Sequence, residues 1–143
     1  MLRLLALTVS LNHSSLPKLR GIPMITHLKF AGIPVRDQER ALKFWTETMG
    51  LRVVTDQPLG NQRWIELAIR SSETRIVLFM PEGPENRVGT FFNGSFACDD
   101  VEATHRQLSE RGVEFVKPPA KQPWGTFAIF RDPEGNQFVL SSR

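Results

Sequence analysis

The sequence predicts an α+β fold made of two βαβββ units in tandem, and three observations carry that reading. Residues 33–54 (IPVRDQERALKFWTETMGLRVV) return in degraded form as residues 96–116 (FACDDVEATHRQLSERGVEFV), and internal repetition outranks any single motif. Laid on one another, Asp37 meets Asp100, Glu39 meets Glu102, Trp45 meets Leu108 and Glu47 meets Glu110; one residue then drops out and Gly50 meets Gly112. Each copy runs from an extended apolar stretch through an Asp suited to cap a helix, then about three helical turns, a terminating Gly and a β-branched strand. Further strand-like runs bounded by turn residues follow each copy.

In chain order, residues 25–35 are apolar or small with polar interruptions and lead to Arg36-Asp37, a strand entering a helix N-cap. Ala41, Leu42, Trp45 and Met49 then recur at three-to-four spacing, with Glu39, Arg40, Lys43 and Glu47 opposite. After Gly50 the spacing predicts strands at 51–55, 63–69 and 75–80, with turns at 58–61 and 71–74. Residues 81–88 (PEGPENRV) read as a linker. The second unit gives strands at 91–98, 113–116, 126–131 and 137–141 around a helix at 101–111. The turn DPEGN (132–136) places Pro and Gly where turn geometry favours them. Residues 117–125 (KPPAKQPWG) read as a proline-stiffened loop that exposes Trp124.

At 143 residues with 41% hydrophobic side chains, the chain suffices for one domain, assigned to residues 24–143. Three of its 18 basic residues, Arg3, Lys18 and Arg20, precede Met24, where no acidic residue stands, so the remainder carries 15 basic against 15 acidic groups. No basic run interrupts that balance, which argues against a nucleic-acid partner. Residues 1–23 lie outside the repeat and open with the apolar run LRLLALTVSL, too short to span a bilayer and without a small-residue cleavage pattern. Among a secretory signal, an organellar transit segment and a leader preceding a working start at Met24, the expectation is a dispensable leader or disordered extension. No membrane partner is expected. A single cysteine, Cys98, excludes an internal disulfide and fits a reducing, cytoplasmic setting.

The paired units, V-R-D before the first helix, C-D-D-V-E-A at the second and R-D-P-E-G-N-Q-F-V-L at the end together resemble the vicinal-oxygen-chelate superfamily of glyoxalase I, extradiol dioxygenases and bleomycin-resistance proteins. The resemblance covers about residues 25–141. It implies a cup-shaped mixed sheet with helices outside, a homodimer, and in catalytic members a divalent metal held by His, Gln or Glu from the first and last strands of each unit. Carried over, those four positions fall on Phe30, Leu78, Asn93 and Val139. Only Asn93 has a donor atom, so no metal and no cofactor is expected, a divalent ion being the alternative. His27, Glu66 and His105 do not fit the ligand-bearing positions.

The resemblance then implies a protein that binds a small apolar or aromatic molecule. Phe30, Leu78, Asn93 and Val139 would form the floor, Trp64 and Trp124 the wall with Phe79, Phe91, Phe92 and Phe127, and Glu66, Ser95 and Gln137 polar handles. The alternative is a lyase, isomerase or dioxygenase of the same superfamily, metal-dependent or using Glu66 as a base.

Overall fold

A computed structural model describes residues 24–83 and 87–142; the expectations for residues 1–23 and for the centre of the linker, 84–86, lie outside the described residues. The first unit runs β1 (Phe30–Pro34), α1 (Gln38–Lys43, continued by a π-helical turn Phe44–Thr48), β2 (Arg52–Leu59), β3 (Gln62–Ala68) and β4 (Arg75–Phe79). The second runs β5 (Phe91–Cys98), α2 (Val101–Glu110), β6 (Glu114–Gln122), β7 (Gly125–Arg131) and β8 (Gln137–Ser142). Each unit forms one four-stranded mixed sheet, in the orders β1-β4-β3-β2 and β5-β8-β7-β6, with its first and last strands parallel.

Both helices begin and end as the repeat requires. The Asp37 and Asp100 carboxylates accept the backbone N–H three residues on, from Arg40 at 3.0 Å and Ala103 at 2.9 Å. Each cap satisfies a donor that the first turn leaves unpaired. Past the helices, Gly50 and Gly112 take φ values of +82° and +87°, a region open to glycine at little cost. The π-helical turn was not expected; there the Thr46 hydroxyl donates to the Leu42 carbonyl and Met49 N–H reaches back to Phe44, the competition with the helical ladder that Thr provides.

Three expected boundaries are corrected. Strand β1 starts at Phe30 rather than residue 25, and β2 continues to Leu59, turning through Gly60 and Asn61. Residues expected to form the loop 117–125 mostly belong to β6, which reaches Gln122. Pro58, Pro118 and Pro119 misled the reading for one reason. A proline lacks the N–H that an interior strand needs, but β2 and β6 are edge strands, and β6 carries register shifts between Phe115 and Lys117 and between Lys117 and Ala120.

A single core serves both units. Trp45, on the apolar side of the first helix, is fully buried and packs its ring on Phe96, Phe130 and Phe138 of the second sheet, with centroids 5.5, 6.3 and 5.1 Å away. Ile33, Ile65, Leu67, Ile76 and Leu78 of the first sheet join Val101, Leu108, Ala128 and Leu140 in the same cluster.

The DPEGN turn is more than a hairpin connection. Glu134, whose side chain is 0% exposed, accepts Arg36 N–H at 2.9 Å, Asp37 N–H at 3.1 Å and the Arg40 guanidinium at 2.7 Å. Asn136 donates to the Pro34 carbonyl and to Asp132, and accepts Gly89 N–H. One turn of the second unit therefore fastens the first strand, the first helix and the linker. Burial raises the Glu134 carboxyl, but the Arg40 bond and the two backbone donors outweigh it and hold the group below its ordinary value.

Asp132, behind that joint, goes the other way. Burial pushes it up to about 6 although Asn136 and Glu134 donate to it. A carboxyl raised above its unfolded value of 3.8 makes the fold bind a proton that the unfolded chain releases. Its contribution is therefore complete below that unfolded value and lost as pH rises through about 6. Lowering pH from 7.5 to 5 is expected to stabilise the protein by about 1.4 kcal/mol, read from urea unfolding at each pH. Glu134 titrates below this window. Asp132→Asn should flatten the dependence, and a slope that survives it would place the titrating group elsewhere.

Candidate ligand site

Strand alternation assigns each predicted residue to a face. Because Ile33, Leu78, Ile65 and Leu67 lie in the core, their odd-numbered steps Phe30, Gly32, Val77, Phe79, Trp64 and Glu66 turn the other way. In the second sheet Phe96, Phe130, Phe138 and Leu140 face the core, which turns Phe91, Asn93, Ser95, Phe127, Ile129 and Val139 outward. Two outward sheet faces thus carry most of the predicted site.

Leu78 is the exception and requires correction. It is fully buried, belongs to the core and pairs with Ile33. In the second sheet the counterpart of Ile33, Phe96, pairs with Leu140, while Val139 pairs with Ser95. The position equivalent to Val139 is therefore Val77, one residue earlier. The donor set remains unsuited to a divalent ion, since Phe30, Val77 and Val139 have no lone pairs and Asn93 alone offers an amide oxygen. Among the described residues no three His, Cys, Asp or Glu side chains converge into a metal-holding group.

On the outward face of the first sheet the rings come together. Phe30 meets Trp64 edge to face at 5.4 Å, and the Trp64 indole N–H points to Glu66 at 3.4 Å. Glu66 also lies 4.0 Å from the Arg75 guanidinium, which leaves it a held carboxylate on an aromatic face. The Phe79 ring lies so close above Gly32 that a Cβ there would come within 2.9 Å of it. Gly32 thereby admits a ring where any side chain would collide. Trp124, 68% exposed at the β6–β7 hairpin, stacks on Phe127 at 5.4 Å, and the Lys117 ammonium stands 4.6 Å above the other ring. The structure does not bring Trp124 into contact with Phe30 or Trp64 through any described ring pair.

The seam between edge strands β1 and β5 opens into a cavity of about 370 Å³. Gly32, Pro34 and Phe79 line it from the first sheet, Phe91 and Asn93 from the second, and Phe92 and Phe138 from the core side. Ile33, Thr90, Arg87, Pro81 and the joint residue Asn136 complete it. Of the thirteen residues expected to form the floor, wall and polar handles, Phe79, Phe91, Phe92 and Asn93 line this cavity. Arg87 and Asn136 were missed: one stood in what read as a linker, the other in what read as a turn.

The fold has counterparts. A family model described as the Glyoxalase/Bleomycin resistance protein/Dioxygenase superfamily matches residues 24–140. The chain belongs to this superfamily. The uncharacterized protein YetH of Bacillus subtilis (strain 168) is 36% identical over 121 residues, covering 82% of this chain and 98% of YetH. A crystal structure of a superfamily member from Sphaerobacter thermophilus superposes with a TM-score of 0.78 at 35% identity, covering 85% of this chain and all of that one. TnmS3, an antibiotic binding protein from Streptomyces sp. CB03234, gives a TM-score of 0.76 at 35% identity, covering 85% of this chain and 98% of TnmS3. Superfamily membership accounts for the paired units. Since one fold hosts many chemistries, it leaves activity to be argued from the site.

Proposed function

We propose that this superfamily member binds a small apolar or aromatic molecule at the seam between its sheets and holds it without a divalent metal. The observation that carries the reading is the aromatic-walled cavity between two outward sheet faces whose metal positions are occupied by Phe30, Val77, Asn93 and Val139. Hiding apolar ligand surface against Phe79 and Phe91 contributes on the order of 25 cal/mol per Å², whereas an ion would lose hydration water without replacement donors. The likeness to an antibiotic binding protein supports binding over turnover. Phe30, Trp64, Glu66, Val139 and Trp124 extend the contact surface beyond the cavity. A homodimer belongs to the same proposal, because among the described residues β1 and β5 each leave a strand edge unpaired beside exposed Phe30 and Phe91. So does a cytoplasmic setting, suggested by the lone Cys98. No helix among the described residues is long and apolar enough to cross a membrane.

The test is organic extraction of the purified full chain followed by mass spectrometry, then titration of whatever compound is recovered. Phe91→Ala removes a ring that is 48% exposed, so it should weaken binding about tenfold with little change in unfolding midpoint. Chelators should leave both unchanged. Copurification of one equivalent of a transition metal, with an activity that chelation abolishes, would replace this reading by the enzymatic one.

A further inference from the structure

The lining of the seam cavity is uneven in its polar chemistry. Among the described lining residues, Arg87 is the one charged side chain. Most of the remaining polar groups are already committed within the protein. Asn136 uses its amide on Gly89, Pro34 and Asp132, and the Thr90 hydroxyl donates to the Arg87 carbonyl at 2.7 Å. The Arg87 guanidinium and the Asn93 amide have no hydrogen-bonded or ion-paired partner among the described residues. The buried carboxylates Glu134 and Asp132 are engaged elsewhere, Glu134 by Arg40 and Asp132 by Asn136. Among the described residues the cavity therefore offers apolar rings, one free cation and one free amide.

We propose that the occupant of this cavity is an aromatic molecule bearing an anionic group, a carboxylate or an ionised phenol, with its ring against Phe79 and Phe91 and its anion on Arg87. The inference rests on the seam cavity being the ligand site and adds the charge of what enters it. A planar guanidinium presents paired N–H donors that match a carboxylate in geometry as well as charge. Asn93 supplies a neighbouring hydrogen bond, and since Arg87 and Asn93 are both exposed, the charge preference is modest and screened by salt. No acidic side chain among the described residues lines the cavity to oppose an anion.

The experiment titrates the full chain by calorimetry with three probes of one ring system: naphthoate, naphthamide and naphthylmethylammonium. Naphthoate should bind about tenfold more tightly than naphthamide, and the ammonium probe weakest, with the preference shrinking as salt is raised. Arg87→Gln should erase the preference and leave naphthamide affinity within about twofold, while Arg87→Lys retains part of it. Unfolding midpoints of both variants guard against a folding defect. Three probes binding equally, or Arg87→Gln weakening all three alike, overturns the anionic assignment and leaves the binding reading standing. Failure of every probe to bind overturns both.

Discussion

Glu134→Ala is expected to destabilise the protein by about 3 kcal/mol, because two hydrogen bonds from backbone N–H groups to a charged acceptor are lost at about 1.5 kcal/mol each. The contribution of Arg40 is discounted, since its side chain is 52% exposed and rehydrates once freed. The unfolding midpoint should fall by roughly 10 °C in a domain of this size. Glu134→Gln keeps one acceptor oxygen and should recover about half of the loss. Glu114→Ala is the control: that carboxylate also pairs with an arginine, Arg131 at 2.9 Å, yet is 64% exposed, so it should cost no more than about 0.5 kcal/mol. Equal effects at Glu134 and Glu114 would mean the buried joint carries no special share of the stability.

The second large effect separates size from polarity at Trp45. Its ring is fully enclosed by Phe44, Phe96, Phe130 and Phe138, so Trp45→Ala should cost about 3–5 kcal/mol in urea unfolding. The indole Nε1 is buried without a hydrogen-bond partner among the described residues, and an unsatisfied buried donor costs about 1–3 kcal/mol. Trp45→Phe gives up ring volume but removes that donor, and the two changes should nearly cancel, leaving a loss of about 1 kcal/mol or less. If Trp45→Phe proves as damaging as Trp45→Ala, the donor is satisfied in solution and shape alone governs the site.

What the sequence made legible was local. Asp37, Asp100, Gly50 and Gly112 act within a turn of themselves, so residue type and spacing were enough to place both helices. Phe30, Asn93 and Val139 came from the family resemblance, and the parity of the observed strands turns all three outward. Leu78 is off by one residue: the 62-residue offset that joins Gly50 to Gly112 also joins Arg75 to Gln137, the first residues of β4 and β8, and therefore Val77 to Val139. The work of Glu134 and Asn136 was illegible for a different reason, since a turn-forming residue looks the same whether or not its side chain reaches Asp37 or Pro34. Arg87 was hidden likewise, because its surroundings are assembled from both sheets.

The joint at Glu134 also sets an order of events during synthesis. The Asp37 N–H waits for an acceptor that lies 97 residues further along the chain. At about 5–20 residues per second, that delay is roughly 5–20 seconds. For most of it, Trp45 faces no complete second sheet, since Phe130 and Phe138 follow late in the chain. A nascent first unit therefore presents a large aromatic ring and an unfinished helix start to the cell, and the yield of folded protein should respond to elongation rate and to chaperone capture more than its final stability would suggest.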